Sequence, residues 1–152
     1  MTGVQTCALP IWTFHSIALG WLRADGRLVG IPPGFRILAG AERWILAREL
    51  MWKLGDPVLT GDERPDDLVS PALQMLERLK QELVPLKRLA AWAAATRADD
   101  GDSELAQRVP LMQACVRLFA AYKRACRLQR LLDFEDLLTL AVKLMEIGRA
   151  HV

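Results

Sequence analysis

Apolar residues recur at three- and four-residue steps along most of the chain, the period of helices that bury one face. The longest stripe, Met112, Cys115, Val116, Phe119, Tyr122 and Cys126, predicts a core-facing helix of about four turns. A second helix is expected to begin within Leu131-Leu132-Asp133-Phe134-Glu135-Asp136-Leu137-Leu138, with Asp133 as N-cap and Asp136 suiting the same terminus by its charge. Upstream, Thr13 caps a helix carrying Phe14, Ile17, Ala18, Trp21 and Leu22 on one face, and Asp25-Gly26 ends it. Ile31-Pro32-Pro33-Gly34 leads rigidly into Phe35 to Leu38, where the strand pattern is confined. Ala41 to Leu54 predicts a largely buried helix, apolar through Trp44, Ile45, Leu46, Leu50, Met51 and Trp52 and stopped by Gly55. A polar loop is expected over Asp56 to Asp67, followed by Ser70-Pro71 as N-cap and first residue of a helix with Leu73, Leu76, Leu79 and Leu83 inward. Pro85 opens a short alanine-rich helix through Trp92, and Thr96 to Glu104 reads as a solvated linker. The pattern as a whole predicts a mostly α fold.

The two ends of the chain fit each other rather than any element. Met1 to Ile11 and Glu146 to Val152 show no helix or strand pattern. Gln5 to Ile11 and Glu146 to Val152 can be encoded by mutually reverse-complementary DNA read in shifted frames, as a translated sequencing adapter flanking an insert would be. Residues 1–11 and 147–152 are therefore expected to be adapter-derived and are set aside from functional argument. Trp12 would then be a hybrid codon whose native residue can be Gly.

About 135 residues remain, enough for one modest core, although an insert cut at both ends need not be a whole domain. No apolar run reaches the roughly 18–20 residues of a membrane helix, so a soluble cytoplasmic chain is expected. The formal net charge of +2 becomes +1 without Arg149, so bulk charge gives no indication of nucleic acid. Cys115 and Cys126 lie on one helical face three turns apart, the placement of two buried thiols and too far apart for a disulfide.

Local chemistry is sparse. His15 has no Cys or carboxylate at metal spacing, and Ser16 beside it projects about 100° away, so neither a metal site nor a nucleophile pair forms. Asp99, Asp100 and Asp102 around Gly101 lack the later ligands of a calcium loop. Asp133 and Asp136 are explained by a helix start. Arg117, Lys123, Arg124, Arg127 and Arg130 fall mostly off the apolar stripe and form a basic face for solvent or phosphates. The phosphate-cradling pattern Gly-x-x-x-x-Gly-Lys-Ser/Thr is absent, so no catalytic residues are assigned and the chain is not expected to hydrolyse a nucleotide unaided.

Two motifs carry a resemblance. Thr13-Phe14-His15-Ser16 resembles the TFHS motif of UvrD/Rep-type superfamily 1 DNA helicases, where Gly commonly precedes the Thr. Leu132-Asp133-Phe134-Glu135-Asp136-Leu137-Leu138, about 115 residues downstream, is similar to the family's LDFDDLL segment, and Tyr122-Lys123-Arg124-Ala125 to the Tyr-bearing helix before it. Phe35 to Leu38 with Ala41-Glu42 resembles an F-x-I/V-L-D-E-A-E/D run, departing from it at Ala39-Gly40.

The resemblance implies that residues 12–146 are part of a UvrD-like helicase ATP-binding domain. A helical subdomain at about 25–132 would be inserted in a P-loop, RecA-like α/β domain whose ATP-binding halves this chain lacks. It implies a parent enzyme that unwinds DNA from 3′ to 5′ in repair or replication. ATP and Mg²⁺ would be held in the parent protein and no cofactor or metal in this fragment. The partners it implies are single-stranded or duplex DNA and the remaining helicase domains, with no membrane. By the same resemblance Thr13, Phe14 and His15 lie near the DNA path, with Lys123, Arg124 and Arg127 as further DNA contacts from the basic face. The competing reading is a stand-alone helical interaction module without enzymatic activity, with Trp44, Trp52 and Trp92 facing a protein partner.

Overall fold

The computed structural model describes residues 13–61, 65–96 and 103–149. The N-terminal adapter reading, Trp12, and the acidic residues Asp99, Asp100 and Asp102 lie outside them. The expected class holds at the coarse level, since the described residues are mostly helical with two short strands.

Helix α1 (Phe14–Asp25) starts as the sequence predicts, with the Thr13 hydroxyl accepting the Ser16 N–H at 3.2 Å. It buries Ala18 and Leu22 but leaves Phe14 82% exposed and Trp21 43% exposed, so the predicted face is narrower than five residues. A 3₁₀ turn (Gly26–Val29) follows, closed by Gly30 at φ 78°, a conformation that only Gly adopts without strain. Strand β1 (Arg36–Ile37) then leads to α2 (Gly40–Leu54). The α2 N-terminus is fixed by Glu42, whose carboxylate accepts the Ala39 N–H at 3.2 Å and pairs with Arg36 at 2.7 Å.

Helix α2 is less buried than its composition predicts. Ala47 and Met51 are buried, Trp44, Leu46 and Leu50 pack partly, and Ile45 and Trp52 are each 52% exposed. A single neighbouring layer covers one stripe of a helix and not its whole circumference. The loop expected over Asp56 to Asp67 instead contains α3 (Pro57–Thr60) and the first residues of α4 (Pro65–Gln81). Ser70-Pro71 therefore does not start a helix, and Pro71 lies inside α4. Val69, fully buried, extends the inward stripe of Ala72, Leu73 and Leu76 by one turn, and that burial offsets part of the cost of Pro71 inside the helix. Leu83, expected inward, is 65% exposed because it turns into the left-handed region at φ 53° to end the segment.

After α5 (Leu86–Ala95), the long α6 (Ser103–Leu128) carries the stripe that dominates the sequence. Cys115, Phe119, Tyr122 and Cys126 are buried together with Ala114 and Leu118, while Met112 and Val116 are half-buried. Both thiols are free. Arg130 at φ 54° turns the chain into β2 (Leu131–Leu132), which pairs in parallel with β1 in the register Arg36 to Leu131 and Ile37 to Leu132. Parallel strands need a long crossover, and here α2 to α6 supply it. Helix α7 (Phe134–Arg149) continues past Met145, so Glu146 to Arg149, where no helix pattern is read in the sequence, extend the last helix.

Two apolar clusters result. One is built from α2, α4 and α6 around Met51, Val69, Leu118 and Phe119. The other joins α1 to α7 through Ala18, Leu22, Leu137, Ala141 and Leu144.

Candidate nucleic-acid interface

The two sequence motifs meet in space. Packing of Ala18 and Leu22 against Leu137, Ala141 and Leu144 lays α1 on α7. The starts of the two helices are brought together there, and the His15 ring stacks on the Phe134 ring with centroids 3.9 Å apart and planes 16° apart. His15, without a partner in the sequence reading, is thus held by an aromatic contact from the other motif. Phe14 projects into solvent beside it. The Thr13 hydroxyl is engaged by Ser16, accepting from its backbone N–H and lying 3.3 Å from its Oγ. Thr13 therefore sets the helix start, where the first-turn N–H groups of α1 point outward.

Asp133 is the expected N-cap, accepting the Asp136 N–H at 3.3 Å. It is also buried, at 1% exposure, and a buried carboxylate requires a counter-charge. Lys80 from α4 supplies it, its Nζ lying 2.5 Å from Asp133 Oδ2 and 3.0 Å from Asp136 Oδ2. Burial opposes the Lys80 charge, but Asp136 and Asp133 outweigh it and hold the ammonium above the usual lysine value. Burial raises the Asp136 carboxyl, with Lys80 opposing the rise. Beside this, Arg43 of α2 pairs with Glu135 at 3.1 Å and Glu77 at 3.3 Å, and donates to the Leu73 carbonyl at 3.3 Å. The acidic start of α7 is thereby fastened to α4 and α2. Burial, then Asp133, pushes the nearby Cys126 thiol up to about 11.

These ion pairs are absent from the sequence reading, which explains the acids by helix capping alone. The signal was an excess, because one cap needs one carboxylate and Leu132 to Leu138 supplies three within a run of apolar residues. With Lys80 on both Asp133 and Asp136, these acids do not fit a Mg²⁺ site, and no step of phosphoryl transfer is derived through them. Among the described residues no three His, Cys, Asp or Glu side chains come together as metal ligands.

The basic row on α6 is shorter than the sequence predicts. Arg117 is drawn onto Asp56, its Nε lying 2.8 Å from Oδ2 and its Nη2 closing the same pair. Asp56 is buried and also caps α3, accepting the Val58 N–H at 3.1 Å, so Arg117 ties α3 to α6. Lys123, Arg124 and Arg127 remain exposed on the outer side of α6. They belong to the α2–α4–α6 body, whereas Thr13, Phe14 and His15 belong to the α1–α7 pair, so the six predicted DNA contacts divide between two packing units. No described helix is long and apolar enough to cross a membrane.

A family model described as the UvrD/REP helicase N-terminal domain matches residues 3–150. No curated protein and no solved structure matches the chain.

Proposed function

Because the chain belongs to the UvrD/REP helicase family through its N-terminal domain, we propose that it is a fragment of an ATP-dependent DNA helicase of 3′ to 5′ polarity, acting in repair or replication. Its own contribution is to contact DNA and to brace the motor, while ATP and Mg²⁺ bind in parts of the parent protein outside this chain. The observation that carries the reading is the stack of His15 on Phe134, which joins the two family motifs at one surface. In this reading the first turn of α1 meets the DNA backbone. Its outward N–H groups suit a phosphate oxygen, and exposed Phe14 offers a face for a base. His15, oriented by Phe134, adds a donor beside them. Lys123, Arg124 and Arg127 supply charge without base readout, so their contribution depends on salt. The inserted helical subdomain, about residues 25–132, holds α7 in place through Lys80 and Arg43.

The test is a fluorescence-anisotropy titration of the purified chain with labelled single-stranded DNA at two salt concentrations, with an ATPase assay on the same preparation. The expected result is weak, salt-sensitive binding, most of it lost in the Lys123→Ala/Arg124→Ala/Arg127→Ala variant and part of it in His15→Ala, with no DNA-stimulated ATP hydrolysis. Salt-insensitive binding, or ATP turnover that survives repurification, overturns this division of labour.

A further inference from the structure

The C-terminal end of α1 forms a concavity that none of the motifs uses. Its volume is about 450 Å³, within the 300–1,000 Å³ range of small-ligand sites. Ile31, Pro32, Pro33 and Phe35 give it apolar walls, and Arg23 and Arg27 line it as well. The walls are rigid for identifiable reasons. Two consecutive prolines fix their own φ angles, Gly34 at φ 74° turns the chain, and Gly26 admits Ile31 so closely that an added Cβ would meet it at 3.2 Å. Arg23 and Arg27 lie one helical turn apart in sequence, and neither guanidinium has an ion-pair or hydrogen-bond partner among the described residues. Asp25, between them in sequence, does not line the pocket.

Apolar walls together with two guanidinium groups that have no ion-pair partner among the described residues match a ligand with an apolar face and an adjacent phosphate. We propose that this pocket takes one unstacked nucleotide of single-stranded DNA, the base against Pro32, Pro33 and Phe35 and the flanking phosphates on Arg23 and Arg27. The planar guanidinium fork suits phosphate oxygens, and the apolar walls suit the face of a base. The inference rests on the DNA-binding reading above and adds to it a second contact, at the opposite end of α1 from Phe14. Nine residues of helix rise, about 13 Å, separate Phe14 from Arg23 along the axis.

The experiment titrates the full chain with a labelled oligothymidylate, and with an abasic strand of equal length and charge. Proteins compared are the wild type, Arg23→Ala/Arg27→Ala, and a charge-matched control, Lys53→Ala/Lys87→Ala. Circular dichroism confirms equal helicity of the three. The expected result is that the double Arg variant binds the thymidylate several-fold more weakly and that its slope of log affinity against log salt falls by about 1.4, as two lost phosphate contacts on a single strand require. The control keeps the wild-type slope, and the wild type prefers the thymidylate to the abasic strand by a margin the Arg variant loses. Equal losses in the control and the Arg variant overturn the site as general electrostatics. An unchanged Arg variant alongside a weakened His15→Ala overturns the site and leaves the proposed function standing, whereas no DNA binding by the wild type overturns both. Displacement of the DNA by an acidic peptide but not by an unlabelled abasic strand assigns the pocket to protein and also overturns the proposal.

Discussion

The α2–α4–α6 body and the α1–α7 pair are both helical, yet they bury their apolar residues differently. In the body, Met51, Val69 and Ala114 are fully inaccessible, and Phe119, Leu118 and Tyr122 nearly so. In the pair, Ala18, Leu22 and Leu137 are closed off, but Phe14, Trp21, Phe134, Leu138, Val142 and Met145 keep between 38% and 82% of their exposure. The body has the larger core, although Ile45, Trp52 and Trp92 on its outside stay 43% to 52% exposed. The pair has one apolar side facing inward and another facing out, and it carries both family motifs. The two are joined by a two-residue parallel ladder and by Lys80 and Arg43, which hold the carboxylates at the start of α7. Ion pairs and backbone hydrogen bonds therefore join the motif-bearing pair to the body, beside the apolar residues that β1 and β2 give to both clusters.

The largest effect is expected from Phe119→Ala, which empties the centre of the body and costs about 3–5 kcal/mol. Urea unfolding with hydrogen exchange should show protection lost throughout the body, whereas Leu137→Ala, at about 2–3 kcal/mol, should lower protection chiefly in α1 and α7. Equal, chain-wide losses from both would show that the two regions unfold as one unit.

Next is Lys80→Ala, which leaves Asp133 buried without its counter-charge. Breaking such a pair costs about 3 kcal/mol, the lower end of the buried range, since Lys80 keeps some contact with water. Hydrogen exchange of α7 should accelerate more than that of α6. A variant as stable as the wild type would mean that the junction is held by packing alone.

Alkaline pH probes the same junction. The Cys126 thiol is raised from 9.0 to about 11 in the folded chain, so the unfolded state loses this proton first as pH rises. Stability should fall between pH 9 and 11, the Cys126 thiol contributing at most about 2.7 kcal/mol at ~1.4 kcal/mol per unit, and the Cys115 thiol, also raised by burial, adding to it. Lys80 adds in the same direction, since its raised value makes the charged form's contribution complete below the unfolded lysine value and lost as pH climbs through the folded one. Cys126→Ala should flatten the first part of the decline in a denaturation series and leave the later part.

The smallest stability effect belongs to Phe14→Ala, within about 0.5 kcal/mol for so exposed a side chain. Its affinity for single-stranded DNA should nonetheless drop, by an amount in the range of about 1–3 kcal/mol for one stacked base. A loss of stability without loss of binding would place Phe14 in the fold rather than at the interface.

Local order was legible in the residues themselves. Thr13, Gly55 and Asp133 mark helix boundaries because capping is a contest between neighbouring groups along the chain. The stripe through Cys115, Phe119, Tyr122 and Cys126 announced its buried face because helical period converts spacing into direction. The motifs of α1 and α7 named the family, which the matched helicase model supports. What the tertiary structure decided were matters of partner and depth. Ser70-Pro71 has the local form of a helix start, whereas in the fold α4 begins at Pro65 and Val69 is buried in the core. Arg117 reads as one more surface cation until the fold sets Asp56 against it. Lys80 and Arg43 find their carboxylates across 53 and 92 positions of sequence, a pairing that no local rule encodes because Coulomb attraction acts on distance in space and not along the chain.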